Sequence, residues 1–357
     1  MLTVSPVMRP HPRSAGRAAR LRLTAIAASL IALGAVATAG TIRHDRADSQ
    51  YTDLAAQPQF APFGPIRRAS DNGIVCAGTL ITPRFVITAA HCVDFGNILT
   101  FPGNFVFEVG GQTYPLAEII LNPEWPPGNP TNPPSIDGAD LALILLASPV
   151  TNVAPAERYR GLSELGAVAT YVGYGDTGTG LTGASSIATG TRRAGENVLD
   201  ALGNFLGLNT RVILSDFDHP TNAALSSMSS PTPRNLEYML ALKDSGAGVF
   251  IQEGGQWFLA AVGSFVGEVA PNGVLADYGD ICGSTRTTPH LAWIDATVCP
   301  EDVDGDRAVG VNDLLGLLAA WGACPLPPPE CASDLNKDGV VSITDLLAML
   351  AAWGACP

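Results

Sequence analysis

The chain of 357 residues carries 20 Lys+Arg against 33 Asp+Glu, a formal net charge of -13, and is 46% hydrophobic but only 15% charged. Lys243 and Lys337 are the only lysines, and five of the basic residues (Arg9, Arg13, Arg17, Arg20 and Arg22) lie in the first 22 positions, so the remainder is more acidic still. Binding phosphate needs clustered Lys/Arg, which argues against nucleic acid and anionic membrane surfaces, and 38 Gly with 28 Pro argue against a helical bundle.

The basic stretch 1–22 is followed by an apolar run, Leu23 to Ala37, broken only by Thr24, Ser29 and Gly34, and then by Ala37-Thr38-Ala39. That order predicts a secretory signal peptide over 1–39. An uncleaved anchor is disfavoured, because a bilayer span needs about 20 apolar residues. The mature chain is therefore expected to be exported, secreted or at the cell surface, where disulfides persist. Its seven Cys leave at least one without a partner inside the chain.

From 40 to 297, short apolar runs alternate with Gly/Pro/Asn/Asp turns: Gly78–Ile81, Arg84–Ala89, Asn104–Val109, Leu141–Leu146, Ala167–Val172, Val249–Ile251 and Trp257–Val262. These predict antiparallel strands in sandwiches or barrels, and the prolines of Asn122–Asp137 predict a surface loop. Residues 298–357 form a different unit. Cys299-Pro-Glu-Asp302 and Cys331-Ala-Ser-Asp334 open two repeats that both close on Ala-Ala-Trp-Gly-Ala-Cys, at Cys324 and Cys356, with Pro325–Pro329 between them. In each repeat an acidic loop precedes a Leu-rich helix, predicted at Leu314–Trp321 and Leu346–Trp353.

Three fragments of the body hold reactive side chains: Cys76…Thr88-Ala-Ala-His91-Cys92, Asp140 entering an apolar strand, and Lys243-Asp-Ser245-Gly-Ala-Gly248. Singly, these read as a core histidine, a turn cap and a loop serine. Together, in the order His–Asp–Ser and with Gly173-Tyr-Gly175 between, they resemble the trypsin/chymotrypsin-like serine peptidases, whose fold is two six-stranded β-barrels with a cleft between them. A serine hydroxyl needs a neighbouring base to become a nucleophile, and imidazole titrates in the right range. The resemblance implies His91 as general base, Asp140 as its orienting partner and Ser245 as nucleophile. The N–H groups of Lys243 and Ser245 are implied as the oxyanion hole, and a disulfide is implied between Cys76 and Cys92. It implies no catalytic cofactor, and protein or peptide substrates.

The chain departs from the family where Lys243 replaces a glycine that turns its amide toward the oxyanion. This motivates an alternative, a catalytically silent binding or scaffold protein. A third reading is a related esterase. By the family pattern Asp244 pairs with a freed N-terminus, for which Ile42 is the candidate, or else it caps the turn. Counting back six from Ser245 puts Met239 at the substrate pocket floor, with Ser264 and Val266 on its wall, which predicts a preference for small or medium apolar side chains. Cys282 lacks its expected partner, since position 241 is Ala. Gly173-Tyr-Gly-Asp-Thr-Gly178 matches the dinucleotide pattern, but residues 179–190 lack the helical period that such a site requires.

In the tail, Asp334, Asn336, Asp338, Ser342 and Asp345 place oxygen at loop positions 1, 3, 5, 9 and 12, with the Val340 carbonyl at 7 and Gly339 at the bend. Asp302, Asp304, Asp306, the Ala308 carbonyl and Asp313 repeat most of that set, with Arg307 at the bend. Such alternation suits a hard cation, here Ca2+ in two EF-hand-like loops. The duplicated units resemble type I dockerin modules, which implies a small all-α domain, structural calcium and a cohesin-type surface or scaffold partner. A unit this small needs staples. Antiparallel helices would join Cys299 to Cys356 and Cys324 to Cys331, and pairing within each repeat stays open.

Overall fold

The computed structural model describes residues 40–94, 101–125, 137–185, 190–228, 230–269, 272–306, 308–324, 331–336 and 338–356. The expected signal segment 1–39, the middle of the 122–137 loop and the proline spacer lie outside the described residues. The chain enters through strand β1 (Gly40–Ile42) and helix α1 (Asp48–Ala55). Six strands follow: β2 (Phe63–Arg68), β3 (Ile74–Leu80), β4 (Phe85–Thr88), β5 (Phe105–Val109), β6 (Gln112–Leu121) and β7 (Ala142–Leu146). They close a barrel in the order β2-β3-β4-β7-β6-β5. The run Ala-Leu-Ile-Leu-Leu of β7 is buried along its whole length, whereas Phe-Val-Phe-Glu-Val of β5 alternates in and out. Ile66, Leu80, Val86, Phe107 and Ile144 have no exposed surface and fill the interior.

The second half contains β8 (Val168–Gly173), β9 (Thr177–Thr179), β10 (Gly183–Ser185), β11 (Arg193–Val198), β12 (Ala201–Leu202), β13 (Val212–Asp216), β14 (Tyr238–Met239), β15 (Gly248–Glu253), β16 (Gln256–Gly267) and β17 (Ile281–Arg286). A second six-stranded barrel was expected; the half-barrel found is a seven-stranded sheet, β11-β8-β15-β16-β17-β13-β12. The difference arises at Leu199 and Asp200, where one passage of chain divides. The Leu199 N–H bonds to Ala167 O ahead of β8, and the Asp200 N–H to Leu214 O on β13. The edge strands β11 and β12 are thus consecutive pieces of chain, and the sheet curls between them. A separate four-stranded sheet, β10-β9-β1-β14, lies against this half. Four acids are gathered here. Burial pushes Glu237 up to about 9 and Asp200 and Asp218 up to about 7, and the Asp216 carboxylate beside them adds to the rise in all three.

Helix α2 (Leu291–Val298) packs Ile294 and Val298 into the core of the first barrel and ends at Cys299 with φ +48°. Beyond it come β18 (Ala308–Val309), α3 (Val311–Ala319), β19 (Gly322–Ala323), β20 (Val340–Val341), α4 (Ile343–Ala351) and β21 (Gly354–Ala355). The unit predicted as all-α thus also contains four short strands. They pair across the repeats, β18 with β21 and β19 with β20, so neither repeat is complete alone. Both helices start three residues earlier than the apolar period predicts. Asp313 and Asp345 sit in their first turns and accept the N–H groups of Gly310 (2.7 Å) and Ser342 (2.8 Å). The disulfides are Cys76–Cys92, Cys299–Cys356 and Cys324–Cys331, so the cross-repeat pairing holds, and Cys282 is free and buried.

Candidate active site

His91 lies on a single 3-10 turn (Ala90–Cys92) after β4, tied by Cys92 to β3 through the disulfide. Asp140 stands two residues before β7 and is wholly buried. Ser245 comes from the other half, on the turn before β15. Its carbonyl accepts the Ala77 N–H of β3 at 2.9 Å, which joins the Ser245 loop to the first barrel. That approach requires a glycine next to it: Gly246 has φ +82°, and a Cβ there would lie 1.9 Å from Ala77 O.

The three side chains form one line. His91 Nδ1 is 2.7 Å from Asp140 Oδ2, and His91 Nε2 is 2.6 Å from Ser245 Oγ. The His91 N–H also donates to Asp140 Oδ1 at 3.0 Å. A carboxylate only accepts, so Nδ1 carries the proton and Nε2 is left as acceptor for the serine hydroxyl. Burial pulls the imidazole pKa down, but the charge of Asp140 and its hydrogen bond outweigh this and leave His91 above its ordinary value.

Ser264, expected on the pocket wall, instead donates its hydroxyl to Asp140 Oδ2. It sits at the register shift of β16 between Gly263 and Phe265, which turns it toward the acid. The sequence signal was a serine in a strand, with nothing to mark its partner. Val266 is half-buried opposite Cys282 on β17. Met239 is also corrected. It has no exposed surface, pairs with Thr41 of β1 and belongs to the second core with Ile42, Tyr238 and Leu240, so it does not face an open pocket.

Lys243 has φ +72°, the left-handed region that a glycine enters freely. The amide reorientation expected of the missing glycine is therefore available. Among the described residues, no acceptor takes the N–H of Lys243 or of Ser245. Its ammonium lies 2.7 Å from Asp176 Oδ1. Asp244 is buried, has no cationic partner among the described residues, and accepts from Gly175 N–H (2.7 Å), Ala241 N–H (3.0 Å) and the Tyr238 hydroxyl (3.4 Å). Burial pushes its carboxyl up to about 7, against these donors. Ile42 is paired in β1 with Tyr238 and Thr179, and Asp244 caps its own turn through the Ala241 N–H.

In the tail, carboxylate oxygens of Asp302, Asp304 and Asp313 come within 4.8 Å of one another. Asp313 Oδ1 also accepts the Val303 and Asp304 N–H groups, and Asp345 Oδ1 does the same for Leu335 and Asn336. Asp334 accepts from Asp338 and Gly339, and Asp306 and Asp338 accept from Ala308 and Val340.

Residues 56–192 match the Trypsin family model. The chain is 31% identical over 81 residues to an ovochymase of Halocynthia roretzi, over 21% of this chain and 5% of that protein. It is 32% identical over 117 residues to the alpha-fibrinogenase albofibrase of Trimeresurus albolabris, over 30% of this chain and 42% of that protein. The chain thus spans under half the length of either curated relative. Among solved structures, a mouse-brain serine protease, neuropsin, superposes with a TM-score of 0.49 at 17% identity, over 68% of this chain and 96% of that one. The stretch that matches the Trypsin family model contains His91, Asp140 and all six strands of the closed first barrel.

Proposed function

We propose that the chain is a secreted serine endopeptidase that cleaves peptide bonds through an acyl-enzyme, with a calcium-stabilised tail for attachment. The observation that carries this is the unbroken line Asp140–His91–Ser245 drawn from three distant stretches. In the reaction, His91 Nε2 takes the hydroxyl proton as Ser245 Oγ attacks the carbonyl carbon, and Asp140 stabilises the imidazolium formed. His91 then returns the proton to the leaving amine, and water repeats the sequence on the ester. The free N–H groups of Lys243 and Ser245 receive the oxyanion, a donor of this kind being worth about 2.7–4 kcal/mol. The silent alternative rested on Lys243, and the left-handed backbone at that residue supports the peptidase reading over it. A fluorophosphonate should label the protein and Ser245→Ala should abolish labelling; an unlabelled, properly processed sample would refute the reading. Ester turnover without peptide cleavage would favour the esterase.

Export is supported by the leader pattern and the three disulfides, and no helix among the described residues is long and apolar enough to cross a membrane. The tail residues suit calcium in donor type, since all are oxygen. Asp302, Asp304, Asp306, Asp313 and the Ala308 carbonyl would hold one ion, and Asp334, Asn336, Asp338, Ser342, Asp345 and the Val340 carbonyl the other. Bound calcium would supply a cross-link that offsets the repulsion among these carboxylates. Attachment to a cohesin-type partner is supported by matched apolar side chains left exposed on both helices, Leu315 and Leu347 at 58% and 60%, with Trp321 and Trp353 close by.

A further inference from the structure

Lys243 poses a physical problem, because a residue with a Cβ is disfavoured at φ +72° and few non-glycine residues here adopt a positive φ. Something must hold it. The loop Gly173–Asp176, whose glycines matched a nucleotide pattern and found no role there, lies directly beneath residues 242–244. The Asp176 N–H donates to Leu242 O at 2.7 Å, and the Gly175 N–H to Asp244 Oδ1 at 2.7 Å. Gly175 approaches so closely that a Cβ would lie 2.6 Å from both Asp244 N and Leu242 O. Between these two grips, Asp176 Oδ1 meets Lys243 Nζ at 2.7 Å. The acid is the fixed end, with its side chain 4% exposed against 40% for the lysine.

We infer that Asp176 is a positioning residue of the acyl-transfer site: its ion pair with Lys243 holds the residue in the glycine-like conformation that aims its N–H at the oxyanion. This rests on the peptidase reading. The anchor replaces conformational freedom with charge, so a lysine serves where its backbone alone would not. Asp176 touches neither substrate nor reacting atoms, and its effect passes through the Lys243 amide. The pair should therefore matter most when negative charge builds on the carbonyl oxygen, in kcat and not in KM.

The test is a double-mutant cycle on the full-length chain, with peptide turnover as readout. Asp176→Ala should lower kcat at least tenfold with KM within twofold, while keeping the Asp176 N–H contact to Leu242. The same change made on top of Lys243→Gly should lower kcat less than twofold relative to Lys243→Gly alone, because a glycine needs no anchor. Equal losses in both backgrounds, or no loss in the first, overturn the proposal. Should Asp176→Ala not fold, Lys243→Met, which keeps the stem and removes the charge, is expected to show the same kcat loss, and unchanged kcat there overturns it. An unmodified protein without any turnover fails the peptidase reading first, and this proposal with it; turnover with additive losses fails only the positioning role.

Discussion

Asp140 is fully buried and receives three donors: the ring and backbone N–H groups of His91 and the hydroxyl of Ser264. These donors engage both carboxylate oxygens and fix them beside the imidazole. Because His91 must be neutral to act as base, its raised pKa places the acid limb of kcat/KM above pH 6.5, the ordinary imidazole value. Asp140→Asn should move that limb downward and reduce kcat about 10⁴-fold through the wrong tautomer, as read from a pH–rate profile. An acid limb that stays in place would contradict the coupling. His91, Asp140 and Ser245 were legible as triad candidates because the proposed reaction dictates their types, while their order was read from the family resemblance. Ser264 and Asp176 were not, since each acts across the fold on a partner 124 or 67 positions away and no local pattern marks the pairing. Met239 was misplaced for a related reason: a fixed count from Ser245 assumes a loop path, whereas here the chain is drawn into β14 alongside β1.

Strands were legible wherever apolar residues run together, as in β3, β4, β7 and β16. They were missed where glycine, proline or charge interrupts the run, as in β2 with Pro65 and in β6 with Pro115 and Glu118. The division of one strand at Leu199–Asp200 left no sequence mark at all, because it depends on which neighbour each N–H reaches. That corner brings Asp200 close to Asp216, with Asp218 and Glu237 nearby, and supplies a prediction about elements. Asp200, Asp218 and Glu237 have folded pKa values above their unfolded ones, so the folded state binds more protons between about pH 4 and the raised values. Their contribution to stability is full below about pH 4 and is lost as pH rises through 7 and on toward 9. Thermal melts at fixed salt and calcium should therefore give a midpoint several degrees lower at pH 8 than at pH 5. Asp218→Asn should flatten that slope, and an unchanged slope would contradict the account.

At the scale of the whole molecule, the body and the tail hold together by different means. The body has two apolar cores, whereas the tail gathers a handful of residues, among them Val309, Leu317, Val341 and Met349, around two disulfides. Chelation by EDTA should therefore melt residues 299–357, seen as lost helical ellipticity, while peptide turnover stays within about twofold. Loss of both together would show that the tail supports the catalytic half, through contacts such as Arg84 Nη1 to Gly305 O at 2.6 Å. The duplication that makes the tail was plain in the sequence, but its interleaved strands were not, because each repeat alone reads as a helix after a loop. The bond between Cys299 and Cys356 has a covalent consequence of its own. It fastens the first residue after α2 to one of the last residues of the chain, which turns the tail into a ring of backbone. A single cut anywhere in that ring releases no fragment until the sulfur bridges are reduced.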